Sequence, residues 1–195
     1  MKETSTDSTT STIILVSGYG TTLQAIIDEI IKNKLPIRII SVLSDNPNAY
    51  GIERAKQSGI PTKIINYHDF NNKSDFRQSI EKNIKKHSPD LVVLAGYMRI
   101  LSTEFCRQFK GRILNIHPSL LPKFKGLNTY QRVLDSGDEF HGSTVHFVTP
   151  KLDSGPLILQ YRTKIRTTDN IKKLRERIVI WEIKRRRGKR TRIRK

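Results

Sequence analysis

The chain has 195 residues, of which 36 are Lys or Arg and 18 are Asp or Glu, giving a formal net charge of +18. Its single cysteine, Cys106, excludes a disulfide framework and a zinc cluster built on thiolates. No apolar run approaches the roughly 18 residues of a membrane span, and the polar start lacks the apolar stretch of a secretory signal, so we expect a cytoplasmic protein with no membrane partner.

The positive charge is concentrated at the carboxyl end of the chain. Residues 183–195 hold nine cations and no anions, so half of the net charge lies in this basic tail. A charge run without aromatic residues is usually solvated, although it also attracts nucleic acid non-specifically. We therefore expect a disordered polar lead-in at 1–11, one domain at 12–182 and a tail at 183–195.

Short apolar runs alternate with longer amphipathic segments from residue 12 onwards. The runs predict strands at 13–16, 37–43, 63–65, 91–94 and 113–116. Helical spacing of apolar residues predicts helices at 23–31, 50–58, 76–84 and 102–109. This alternation indicates a mostly parallel sheet with helices on both faces. A further helix at 127–134 and a hairpin-like pair of strands at 145–148 and 157–161 make the sheet mixed.

Polar segments follow three of the predicted strands, at 17–20, 96–99 and 115–118. Ligands bind beyond the carboxyl ends of parallel strands, so these segments predict a site at one sheet edge. The glycine loop Ser17–Thr22 leads into the first helix, with Thr21 or Thr22 as its N-cap. It lacks the full dinucleotide and P-loop fingerprints, so a phosphate cradle and a purely structural turn both remain open.

Asn115 and His117 are two residues apart at a strand end, so their side chains point to the same side. An Asn amide can donate to a developing oxyanion and a His can transfer a proton, while the alternative is a polar strand end with a hydrogen-bonded His. Asp153 lies in a turn, where an Asp most often caps its own backbone, and sequence distance cannot link it to His117.

The other histidines show no metal-ligand spacing, so we predict no metal site. His146 shares a strand face with Thr144 and either lines the site or packs in the core, with the core slightly favoured. The remaining three are predicted in loop or surface positions, at His68, His87 and His141.

Five segments resemble, in the same order, those of the phosphoribosylglycinamide formyltransferase family of folate-dependent enzymes. They are S-G-Y-G-T-T-L-Q-A, L-A-G-Y-M-R-I-L, N-I-H-P-S-L-L-P-K-F-K-G-L, H-G-S-T-V-H-F-V and L-D-S-G-P-L-I-L-Q. The resemblance runs from about residue 12 to about residue 182. It implies a Rossmann-like three-layer α/β fold and transfer of the formyl group of 10-formyltetrahydrofolate to the amine of 5-phosphoribosylglycinamide, in purine biosynthesis.

The resemblance also implies roles for individual residues. The catalytic triad is matched by Asn115, His117 and Asp153, and Asn115 also contacts the folate. The glycinamide ribonucleotide is bound by Gly20, Thr21 and Thr22, which hold its phosphate, and by Glu182. The folate is bound by Lys73, where relatives carry an Arg, and by the pterin-binding segment Met98, Arg99, Ile100 and Leu101.

The chain departs from the family pattern in several places. Thr21-Thr22 replaces Ser-Asn, Asn128 replaces His, and Lys73 keeps a charge but loses the planar guanidinium fork. After Glu182 the basic tail replaces an apolar stretch, which is typical of a replaced or frameshifted terminus. Two other functions remain open: a methionyl-tRNA formyltransferase-like enzyme, and a non-catalytic module that binds nucleic acid through the tail.

Overall fold

The structure, a computed structural model, describes residues 9–184, with side chains described as far as Ile178. Its strands are β1 (Thr10–Val16), β2 (Ile37–Ser44), β3 (Thr62–Ile64), β4 (Leu91–Leu94), β5 (Ile113–His117), β6 (Phe140–Phe147) and β7 (Leu157–Lys164). Its α-helices are α1 (Thr21–Asn33), α2 (Tyr50–Gln57), α3 (Lys73–Lys86), α4 (Thr103–Gln108), α5 (Thr129–Ser136) and α6 (Ile171–Lys184).

All seven strands form one sheet, in the order β3-β2-β1-β4-β5-β6-β7. Strands β1 to β5 run parallel, whereas β6 pairs antiparallel with β5 and β7 antiparallel with β6. The chain leaves β1 towards β2 on one side and returns at β4 on the other, so the strand order reverses between β1 and β4. The predicted Rossmann-like α/β fold with a mixed sheet is confirmed.

The sheet core explains why the first strand is apolar without alternation. Ile14 and Val16 pack with residues of α1 and α2 on one face. Ile13 and Leu15 pack with residues of α3 and α4 on the other. Because helices cover both faces here, each residue of the run is fully buried, as expected for a central parallel strand.

The amino-terminal boundary of the predicted domain needs correction, and most of the predicted tail lies outside the described residues. Strand β1 begins at Thr10, inside the predicted lead-in of 1–11, because the Thr10 N–H donates to the Pro36 carbonyl at 2.8 Å and the strand continues its pairing with β2. Residues 1–8 lie outside the described part of the chain, as does the basic tail beyond Lys184. The sequence analysis did not predict helix α6. In the structure its Leu174 and Ile178 pack against Val133 of α5.

Two local predictions were wrong. The N-cap of α1 is Gly20, at φ 73°, instead of a threonine, because the loop reaches the helix in a left-handed conformation. His141 is a buried residue of β6, since this strand starts five residues earlier than predicted and pairs with β7 from Phe140 to His146. Among the described helices, none has the length and apolar character needed to cross a membrane.

Candidate active site

Strand β5 carries Asn115 and His117 to the carboxyl edge of the sheet. Asn115 is opposite Leu94 of β4 on one side and opposite His146 of β6 on the other. The side chain of His117 is 6% exposed. The predicted pair is therefore at the strand ends where α/β sheets bind ligands.

The turn between β6 and β7 brings Asp153 to this pair. Its Oδ2 atom accepts the N–H of Gly126 at 2.8 Å and lies 3.5 Å from Nδ1 of His117. Its Oδ1 atom lies 3.4 Å from Nδ2 of Asn115. The carboxylate therefore bonds outside its own turn, while the hydroxyl of Ser154 donates to the Leu152 carbonyl within it. The backbone-capping alternative is wrong, and Asn115, His117 and Asp153 form one cluster.

Asp153 is ionised in this cluster over the neutral pH range. Burial, the largest single influence, raises the pKa of its carboxyl. The adjacent His146, the N–H of Gly126 and the nearby His117 together outweigh burial, so the pKa lies below its ordinary value.

The loop after β5 covers His117. Thr144 of β6 donates its hydroxyl to the Ser119 carbonyl at 2.6 Å and accepts the N–H of Leu121 at 3.2 Å. These bonds hold the loop against the sheet. The loop thereby places the carbonyl of Phe124 2.9 Å from Nε2 of His117. Because a carbonyl can only accept, Nε2 carries a proton in this arrangement.

His146 was left open by the sequence and belongs to the site. It is 2% exposed, yet its Nε2 is 3.2 Å from Nδ2 of Asn115 and 3.7 Å from Oδ1 of Asp153. Its position on a strand face next to Thr144 was the available signal. Only the register between β5 and β6 places it opposite Asn115.

The glycine loop after β1 packs tightly against α2. A Cβ atom on Gly20 would lie 2.4 Å from the Cα of Gly51, and the Gly51 N–H donates to the Gly18 carbonyl at 3.0 Å. Arg54 of α2 donates from Nε to the Tyr19 carbonyl at 2.9 Å. The close packing explains Gly20 structurally, and it also presents the first turn of α1, with Thr21 and Thr22, at the site edge.

Four of the five residues predicted for the pterin segment and its cationic partner line one cavity of about 160 Å³ next to the glycine loop. They are Lys73, Met98, Arg99 and Ile100. Leu101 does not line it, because its side chain is buried in the core beneath. The Met98 N–H donates to the hydroxyl of Ser17 at 2.8 Å, which joins this segment to the glycine loop.

Arg99 is held in place at the edge of this cavity. Its Nε donates to Oδ2 of Asp45 at 2.7 Å, and its guanidinium carbon lies 3.8 Å from the ring centre of Tyr67. Since Asp45 is 3% exposed, the ion pair fixes the direction of a side chain that would otherwise be mobile.

Two further predictions concern Glu182 and metals. Glu182 is on α6, but its side chain lies outside the described residues. Among the side chains that the structure describes, up to Ile178, no group of three or more His, Cys, Asp or Glu is placed to hold a metal ion.

Comparison with known proteins identifies the family. The formyl transferase family matches residues 10–184. The chain belongs to the formyl transferase family. The phosphoribosylglycinamide formyltransferase of Haemophilus influenzae is 45% identical over 164 residues, which cover 84% of this chain and 77% of that protein. The trifunctional purine biosynthetic protein adenosine-3 of Bos taurus is 42% identical over 171 residues, which cover 88% of this chain and 17% of that protein.

A solved structure agrees with these relatives. The phosphoribosylglycinamide formyltransferase of Coxiella burnetii superposes with a TM-score of 0.83 at 44% identity, covering 91% of this chain and 83% of that one. The resemblance found in the five motifs is therefore confirmed, as are the prediction of a formyltransferase and its place in purine biosynthesis. These relatives are named for glycinamide and purine chemistry, which favours the first of the three functions considered.

Proposed function

We propose that this chain transfers the formyl group of 10-formyltetrahydrofolate to the amine of 5-phosphoribosylglycinamide. The observation that carries the proposal is the cluster of Asn115, His117 and Asp153 at the sheet edge, within 3.5 Å of one another through Asp153. The glycine loop and the cavity beside Met98 flank the same edge, because the segments that follow β1 and β4 are hydrogen-bonded to each other.

Asn115 stabilises the oxygen of the formyl group as the amine attacks its carbon. One amide hydrogen of Asn115 is directed at Nε2 of His146 at 3.2 Å. The other is directed at Oδ1 of Asp153 over 3.4 Å, a long contact that the formyl oxygen can replace. A donor placed at a developing oxyanion typically contributes about 10²–10³ in rate.

His117 moves the proton that the reaction transfers. A new bond forms between the amine nitrogen and the formyl carbon, and the bond from that carbon to N10 of the folate breaks. The amine nitrogen therefore loses one proton and N10 gains one. Nε2 of His117 carries a proton, which is hydrogen-bonded to the Phe124 carbonyl here. When the reacting group replaces that carbonyl, His117 gives this proton to N10 and takes up at Nε2 the proton that the amine nitrogen loses. Asp153 keeps the imidazole oriented through Nδ1.

The two substrates bind at neighbouring segments of the same sheet edge, beside the cluster. The phosphate of the ribonucleotide binds at Gly20, Thr21 and Thr22, where the positive end of the α1 dipole and two hydroxyls attract an anion. Glu182 binds the glycinamide part. The pterin binds along Met98, Arg99 and Ile100, with Leu101 supporting the segment from below and Lys73 attracting the carboxylates of the folate.

The substrates and the sequence also support proposals about the compartment of the enzyme and its contact with nucleic acid. Both substrates are small soluble molecules, so we assign the protein to the cytoplasm. The basic tail adds non-specific attraction to nucleic acid, which is screened by salt and separate from turnover.

The decisive experiment is a steady-state assay with both substrates on wild-type protein and on two alanine variants. Asn115→Ala and His117→Ala should each lower kcat by at least about 10². Since both residues act in one step, the double variant should lose far less than the product of the two single losses. The exposed Asn33→Ala and His87→Ala serve as matched controls. Absence of product from folded wild-type protein would refute the function, and near wild-type kcat in either variant would remove that residue from the mechanism.

A further inference from the structure

Asn115 faces a second imidazole from the antiparallel neighbour of its own strand. The register pairs Asn115 of β5 with His146 of β6. Nδ1 of His146 lies 2.9 Å from the carbonyl oxygen of Phe147, and Nε2 lies 3.2 Å from Nδ2 of Asn115. The His146 side chain is 2% exposed, so no water competes for these contacts.

The contact with Phe147 determines the tautomer of His146, because Oδ1 of Asp153, at 3.7 Å from Nε2, lies beyond hydrogen-bond distance. The Phe147 carbonyl can only accept a hydrogen bond, so Nδ1 must carry the proton. In the neutral imidazole Nε2 is then bare and can only accept. An acceptor at this point requires the NH₂ end of the Asn115 amide instead of its oxygen.

Without such an acceptor, fewer hydrogen bonds would favour the orientation of the Asn115 amide in which its NH₂ group faces the site. The only other contact of that group, with Oδ1 of Asp153, is 3.4 Å long and is the one that the formyl oxygen replaces. His146 is the partner that remains bonded during the reaction. A swing of the amide about its terminal bond would present an oxygen to the developing negative charge.

We propose that His146 is a positioning residue, which selects the orientation of the Asn115 amide through its Nδ1–H tautomer. The inference rests on the proposed function, because it explains why the NH₂ group of Asn115 faces the formyl oxygen in that reaction. His146 does not touch the substrates. It acts through Asn115, so its loss should lower kcat and leave the KM of both substrates nearly unchanged.

The chain offers a matched pair of substitutions at this position. His146→Asn reaches only as far as Nδ1 and keeps a donor for the Phe147 carbonyl, but it places no acceptor against Asn115. His146→Gln reaches the position of Nε2 and places an amide oxygen there. We expect kcat to fall by about 10²-fold in His146→Asn, as for a misplaced reacting group, and by about threefold or less in His146→Gln. Thermal unfolding of both variants establishes that they are folded.

The same substitutions in an Asn115→Ala background separate positioning from general damage. There His146→Asn should lower kcat by about threefold or less, since the group that it positions is gone. Equal losses in His146→Asn and His146→Gln would overturn the proposal. So would a loss in the Asn115→Ala background as large as in the wild type.

A measurement on the free protein tests the inference without turnover. Nitrogen-15 NMR of labelled wild-type protein at neutral pH should show His146 protonated at Nδ1 and bare at Nε2. Protonation at Nε2 would overturn the proposal, whatever the assay shows. If the wild type is inactive but this tautomer is found, the proposed function fails and the orientation of Asn115 stands.

Discussion

Lowering the pH from 7 to 4.5 should destabilise this protein through one residue, His141 of β6. Its side chain is 1% exposed, and its ring packs edge-on against Tyr130 with the ring centres 5.1 Å apart. Its Nε2 atom has no hydrogen-bond partner among the described residues. Burial, together with the charge of nearby His117, lowers the pKa of His141 from 6.5 to about 4.

The sign follows from which state binds the proton. The unfolded chain protonates His141 as the pH falls through 6.5, whereas the folded chain does so only near pH 4, so the free energy of unfolding decreases across this window. Each pH unit of difference corresponds to about 1.4 kcal/mol, so the full effect is about 3 kcal/mol. Of this, about 2 kcal/mol should appear between pH 7 and 4.5.

Urea unfolding at the two pH values measures this effect. His141→Phe keeps a flat ring beside Tyr130 and cannot titrate, so it should lose about 2 kcal/mol less than the wild type between pH 7 and 4.5. His87→Phe, at an exposed position that ends α3, should behave as the wild type does. If His141→Phe does not fold, His141→Gln replaces it. Equal pH dependence in the wild type and in the folded His141 variant would refute the reasoning.

Three further predictions concern the site and the tail. Asp153→Asn should lower kcat by about 10²–10⁴, because in either orientation the NH₂ of the new amide faces another N–H donor, that of Gly126 or of Asn115. Asp138→Asn, at a surface ion pair, should leave kcat unchanged, and equal kcat values for the two variants would contradict the prediction. Gly20→Ala should raise the KM for the ribonucleotide and lower the melting temperature more than Gly59→Ala does. Both glycines have positive φ, but of the two only Gly20 would place a Cβ against backbone, at 2.4 Å from the Cα of Gly51. Equal changes in KM and melting temperature for the two variants would contradict the prediction. Removing residues 185–195 should weaken retention on nucleic acid at low salt and leave folate affinity unchanged, and loss of folate binding at both low and high salt would show that the tail belongs to the site or fold.

Much of this protein was determined by local features of its sequence. The run from Ile13 to Val16 has no alternation, which already required a strand covered on both faces. Polar segments directly after β1, β4 and β5 placed a site at the carboxyl edge, because parallel strands end at the same side of a sheet. The spacing of Asn115 and His117 on one strand left their role open, and the resemblance of the N-I-H-P segment to the formyltransferase family supplied the chemistry expected there.

The tertiary structure decided which distant residues join that pair. Asp153 follows His117 by 36 residues in the chain, and only the turn after β6 and its bond to the Gly126 N–H bring its carboxylate within 3.5 Å of the imidazole. The pairing of β5 with β6 likewise places His146 against Asn115. It also buries His141, whose place between Phe140 and Gly142 in the sequence gave no decisive sign of burial. Strand register and loop docking depend on contacts between segments far apart in the chain, and no local pattern records them.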